Sequence, residues 1–197
     1  MDKFNTTEDR AAAYGLLSRC YHPPDERLLD DLRAPDAGCL GAGTLPALAD
    51  LRKDHAQLFV GPFEVSAPPY GSVYLESDGR VCGDSTMDVV GRYAHEGLRL
   101  TLREPADHVA IELEYMHVLI CRQTAATAAL ADAYIEKQRD FLRTHLGVWM
   151  PVLAERIVAN ARTDFYRHVA KATDALVKCD IECCPSRIPP FVCSGSV

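Results

Sequence analysis

Apolar side chains recur along this chain at intervals of three and four residues, the spacing of one helical face, and nowhere alternate long enough to make a convincing strand. Thr6-Thr7-Glu8-Asp9 offers a capped start, and Ala11, Tyr14, Leu17 and Cys20 follow on one stripe until His22-Pro23-Pro24 stop the helix. Residues 25–33 read as a short charged helix with Leu28, Leu29 and Leu32 on one side, and 34–44 as a Pro/Gly loop. A third helix covers 45–59, with Leu48, Leu51, His55 and Leu58 on its stripe. The next segment carries Gly61, Pro62, Pro68, Pro69 and Gly71 and cannot continue as a helix, yet it is rich in Phe, Val, Tyr and Leu. That composition predicts an ordered apolar loop packed across a helical body, with at most a short extended piece at 73–75. Residues 76–80 make a turn, and Asp84-Ser85 caps a helix ending near His95-Glu96-Gly97. The central helix reads from Pro105 to about Arg122, followed by an Ala-rich helix over 125–146 that Gly147 ends, and by a helical pair at 149–161 and 164–178. The expectation is a single all-α domain of about eight or nine helices over 1–178, one long loop between the third and fourth, and a Cys/Pro-rich tail at 179–197.

Length and composition narrow the function. At 197 residues and 48% apolar content, the chain is long enough for one substantial core and short for two. A formal charge of −7 and a pI near 5.5 disfavour nucleic-acid binding, which rests on basic surface. They suit a basic peptide partner, whose encounter long-range attraction accelerates. The first ten residues lack the apolar core and cleavage pattern of a signal peptide, and no run of about 18 apolar residues occurs. The sequence therefore reads as cytoplasmic, without a membrane span, and its eight cysteines as thiols. Cys20, Cys39, Cys82 and Cys121 are scattered, as small buried apolar residues are.

Candidate chemistry concentrates in Glu104-Pro105-Ala106-Asp107-His108, which runs into the central helix. Pro105 suits a first helical turn, where its missing N–H costs nothing, and Asp107 then lies at the positive end of the helix dipole. His108 and Glu112 stand four apart beside a core-facing stripe of Val109, Leu113, Met116 and Ile120. Such an Asp-His-Glu group suits a cationic, partly apolar ligand; the plain alternative is an acidic helix start with its charges in water.

Several pieces, in order over roughly 8–178, resemble the TorD/DmsD family of chaperones that mature molybdenum-containing redox enzymes. They are Leu58-Phe59-Val60-Gly61-Pro62, Pro69-Tyr70-Gly71-Ser72-Val73-Tyr74, the Glu104-to-His108 run with Glu114-Tyr115-Met116, then Phe141-Leu142-Arg143-Thr144-His145-Leu146 with Trp149 and Pro151, and Thr163-Asp164-Phe165-Tyr166. The resemblance implies a TorD-like helical fold and a chaperone with no cofactor of its own, a monomer or homodimer. Its implied partners are an apo molybdopterin-enzyme catalytic subunit and that subunit's twin-arginine leader, held until cofactor is inserted and before export. It points to Phe59, Gly61, Pro62, Pro69, Tyr70, Ser72, Tyr74, Asp107, His108 and Glu112 as leader- or client-binding residues. Family members often carry tryptophan in this loop; here Phe59, Phe63, Tyr70 and Tyr74 supply the aromatic surface. The residues suit such a ligand, with an apolar groove for the helix-prone stretch and carboxylates at its rim for the guanidiniums. Exposed Asp–Arg pairs add only about 0.2–1 kcal/mol each, so the groove supplies affinity and the carboxylates orientation.

The remaining motifs are weaker. There is no Gly-x-x-x-x-Gly-Lys loop and no Gly-x-Ser-x-Gly elbow, and Tyr70-Gly71-Ser72 shows no paired base, so no enzyme is indicated. Glu114-Tyr115-Met116-His117 has the Glu-x-x-His spacing of di-iron bundles without the second copy such a site needs. His145 is read as meeting the terminal carbonyls of its helix, and Trp149 as core or groove wall. In the tail, Cys179, Cys183, Cys184 and Cys193 could ligate zinc or an iron–sulfur cluster. Their spacing is not Cys-x-x-Cys, and adjacent Cys183-Cys184 do not easily share one ion. An oxidation-prone, unstructured tail is the preferred reading, and a metal- or redox-sensing protein the rival function.

Overall fold

The computed structural model describes residues 6–34, 37, 40, 45–61, 65–101 and 104–183. Helix α1 (Thr7–Cys20) is followed by α2 (Glu26–Arg33) and α3 (Leu48–His55), the last prolonged by a π-helical turn (Ala56–Val60). A single turn, α4 (Ser72–Leu75), leads to α5 (Asp84–His95) and the central α6 (Val109–Ala125). Helix α7 (Ala128–Phe141) passes through a second π-helical turn (Leu142–Leu146) directly into α8 (Gly147–Asn160), and α9 (Asp164–Cys183) closes the series. Among the described residues there is no strand, only an isolated antiparallel bridge between Tyr70 and His108. No helix among them is long and apolar enough to cross a membrane. The all-α expectation holds.

Helix α6 is the centre. Val109, Leu113, Met116 and Ile120 are fully buried, as their spacing predicts, and Ala110 and Leu119 join them. Helices α1 and α7 pack on α6, and α8 lies along α9. Local caps set the starts of the first two helices. Thr6 Oγ1 accepts from Asp9 N–H at 3.0 Å and Asp25 Oδ1 from Leu28 N–H at 2.9 Å, each such cap contributing about 1 kcal/mol. Helix α9 is capped from across the fold. Buried Asp54, on α3, accepts from the backbone N–H groups of Arg162 and Thr163 at 3.0 and 2.8 Å, and from the Thr163 hydroxyl.

Four boundaries differ from the periodicity. Residues 73–75 form a helical turn instead of an extended piece, because Gly71 and Ser72 carbonyls accept from residues three and four ahead. Helix α5 is held by Glu76, whose carboxylate accepts from the Ser85 N–H and hydroxyl at 2.8 and 2.7 Å; Gly83, not Asp84, is the capping position. Gly147 continues a right-handed helix at φ −70° and does not end one. A Cβ there would overlap the Leu142 carbonyl and the Ile181 side chain, so glycine lets α9 approach. Finally, α9 runs past Lys178: Asp180 is buried against Arg10 at 2.7 Å and accepts from the Tyr14 hydroxyl at 3.1 Å.

Candidate functional site

The loop and the start of α6 are joined by backbone bonds that neither segment could make alone. Val109 N–H donates to the Pro69 carbonyl at 2.8 Å and Gly71 N–H to the Asp107 carbonyl at 2.9 Å. The Asp107 carboxylate accepts from Ser72 N–H at 2.7 Å, while its other oxygen is buried without a hydrogen-bond partner. Asp107 is thus used by the loop, and α6 begins at Val109, four residues later than Pro105 suggested. His108 becomes the cap: its Nδ1 accepts from Ala110 N–H at 3.1 Å, which assigns the ring proton to Nε2. The ring lies between Tyr70, edge-on at 5.3 Å, and His22, stacked at 6.3 Å. Burial, helped by His22 and His55, lowers its pKa to about 4, so the imidazole is neutral at pH 7. The Tyr70 hydroxyl donates to Glu104 at 2.9 Å, and burial together with that carboxylate pushes the phenol up.

Beneath this clasp lies Glu112, fully enclosed. One carboxylate oxygen is 2.7 Å from His145 Nε2, and the other accepts from Trp149 Nε1 at 3.2 Å. The π-helical turn places His145 here, inward from α7, where the sequence reading put it on helix-end carbonyls. Burial pushes Glu112 up to about 7, with His145 opposing. Burial would lower His145, but its bond to Glu112 outweighs this and raises it. The two groups share a proton near neutrality. Gly71 passes directly above: a Cβ would stand 3.0 Å from Trp149 Nε1 and 3.3 Å from Glu112. Tyr74 stacks on Trp149 at 5.6 Å, donates to the Pro68 carbonyl at 2.8 Å, and has the Arg156 guanidinium over its ring at 5.0 Å.

Pro69, Tyr70, Ser72, Tyr74, Asp107, His108 and Glu112 are therefore brought together, as an internal clasp. Asp107, His108 and Glu112 are neither at an exposed rim nor in water. Phe59 is buried in an aromatic cluster with Tyr21, His55 and Tyr166, and Gly61 closes the π-helical turn at φ +51°. Pro69 and Ser72 are buried, Ser72 accepting from Cys82 N–H, while Tyr70 and Tyr74 are half-buried beside exposed Glu104. Pro62 and Phe63 lie outside the described residues, as do Cys39, Cys184 and Cys193; Cys183 is the last residue of α9. Cys20 is buried, but Cys82, Cys121 and Cys179 are exposed. Among the described residues, no group of three potential ligands could hold a metal.

Open surface begins at His22. It leads from the clasp into a cleft of ≈460 Å³ between α1, α2 and α6, lined by Arg19, Asp31, Glu114 and His117. A second hollow of ≈570 Å³ shares Arg19, His22 and Asp31 and adds Asp25, Arg27 and Asp30. Arg19 pairs with Asp31. The sequence reading did not find this cleft, although the Glu-x-x-His pair it weighed as metal ligands supplies two of its walls.

Residues 25–155, from the cap of α2 through most of α8, match the family model of the nitrate reductase delta subunit. A chaperone protein TorD from Vibrio parahaemolyticus is 30% identical over 138 residues, 68% of this chain and 64% of that protein. The chain belongs to the TorD family. A TorD chaperone from Vibrio vulnificus is 28% identical over 186 residues, covering 91% of this chain and 83% of the relative. A perchlorate reductase assembly chaperone protein from Dechloromonas aromatica is 29% identical over 139 residues. The first TorD relatives are matched over less than two thirds of their own length. A crystal structure described as a redox enzyme maturation protein, from Archaeoglobus fulgidus, shares the fold at a TM-score of 0.62 and 22% identity, over 86% of this chain and 93% of that one. The TorD-family match contains the whole clasp.

Proposed function

We propose that this TorD-family chain is a maturation chaperone for the catalytic subunit of a molybdopterin-containing reductase. It acts in the cytoplasm, without enzymatic activity of its own, on the apo-subunit and on that subunit's twin-arginine leader, before cofactor insertion and export. The observation that carries the reading is the family match over the clasp and the α2–α6 cleft wall, joined to relatives named as TorD and as a reductase assembly chaperone. The geometry is compatible with it: half-buried Tyr70 bonds to exposed Glu104, and His22 leads on to a cleft holding several carboxylates. Ordering a flexible leader offsets several kcal/mol of gross interaction, so binding in the micromolar to nanomolar range is expected.

The test is calorimetry against the leaders of the host's molybdoenzymes, with co-purification of the matching apo-subunits. One leader should bind at micromolar or better, and Tyr70→Ala should weaken it while Tyr70→Phe retains it. If no leader and no apo-subunit binds, the reading is wrong.

A further inference from the structure

Glu114 borders two hollows on the surface of α6. On one side it lines the cleft with His22 and His117; on the other it edges a notch of ≈130 Å³ walled by Tyr93, Leu98, Leu100, Ile111, Tyr115 and Val118. Its side chain is exposed and has no ion-pair partner among the described residues. The other carboxylates near the cleft are engaged: Asp31 with Arg19, Asp30 with Arg33, and Asp25 as the cap of α2. Each hollow carries one arginine, but Arg19 of the cleft is paired with Asp31, whereas Arg99 of the notch has no ion-pair partner among the described residues, so the cleft is the more acidic of the two.

We propose that these hollows form a two-part seat for a client peptide in which arginine lies a few residues from a large apolar side chain. The guanidinium enters the cleft against Glu114, the peptide crosses α6, and the apolar side chain fills the notch. This rests on the client-binding reading above and extends it from the clasp onto the outer face of α6. Guanidinium suits the place because it is weakly hydrated and meets a carboxylate with two parallel N–H bonds. The notch has room for a side chain and not for a helix, so it selects one anchor residue. Arg99 repels a guanidinium placed on the notch side, so the peptide can lie in only one polarity.

The experiment is fluorescence anisotropy on the full chain with two labelled synthetic peptides. One carries an Arg-Arg pair followed by an alternating Leu-Ala stretch, the other Gln-Gln before the same stretch. Glu114→Gln and Glu114→Arg change an exposed side chain and Val118→Asp a half-buried one, and circular dichroism confirms that each variant is folded. Glu114→Arg should weaken the arginine peptide about tenfold and Glu114→Gln about threefold, with the Gln-Gln peptide unaffected by either. Val118→Asp should weaken both peptides. If the parent binds the arginine peptide and the Glu114 variants bind it equally well, the seat is overturned and the chaperone reading stands. If the parent binds neither peptide nor any native leader, both fall.

Discussion

Glu112 holds His145 and Trp149 where water does not reach, and its protonation has a consequence for stability. Glu112, at about 7, and His145 both sit above their unfolded values. The folded chain therefore keeps a proton that the unfolded chain releases, and the pair's contribution falls as pH rises through about 7. His108, held down to about 4, acts in the opposite sense and penalises the fold as pH drops below its ordinary 6.5. Glu112 and His108 oppose each other between about 4.5 and 6.5, so melts should vary little there and fall towards pH 7 and above. Glu112→Gln should flatten that alkaline limb and leave His108 unopposed, so that the melting temperature rises with pH below about 6.5. An alkaline limb unchanged in the variant would mean that other groups set it. Little of this was legible in the residues one at a time. Glu112 and His108 were visible as chemistry-bearing positions, but Asp107 is committed to a backbone N–H 35 residues away, and Glu112 to an imidazole 33 residues away. Spacing along one helix cannot reveal such partners.

Helices were legible wherever one apolar stripe ran unbroken, as in α1, α2 and α6, and so was the cap of α1, whereas α6 starts later than its proline suggested. The segments that position the site were not. A π-helical turn needs no signature residue, so the turns at Ala56–Val60 and Leu142–Leu146 read simply as helix. The clasp draws its order from bonds between distant backbone groups, which leave no pattern in either stretch. Gly71 is the element-level test of that clasp. Gly71→Ala forces a methyl against Trp149 and Glu112, and overpacking of this kind costs about 1–3 kcal/mol. A lowered melting temperature with a retained far-ultraviolet helical signal is the expected result; an unchanged melting temperature would show that the loop rides higher over the indole than described.

Across the whole molecule, α9 ties the far end of the chain to the first helix. Truncation after Lys178 removes buried Asp180, and with it a part-buried ion pair to Arg10 and the acceptor of the Tyr14 hydroxyl. Hydrogen bonds to a charged group are worth about 1.5–3 kcal/mol each, so a chain ending at 178 should melt below one ending at 183. Equal melting of the two would confine the helical domain to the shorter boundary expected from the sequence. The same contact bears on how the protein is made. Arg10 and Asp180 are 170 residues apart, so a ribosome must have made everything between them before they can meet. Helix α1 can settle on α6 earlier, but its contact with α9 closes only after α9 has been made, so this long-range pairing follows the more local packing.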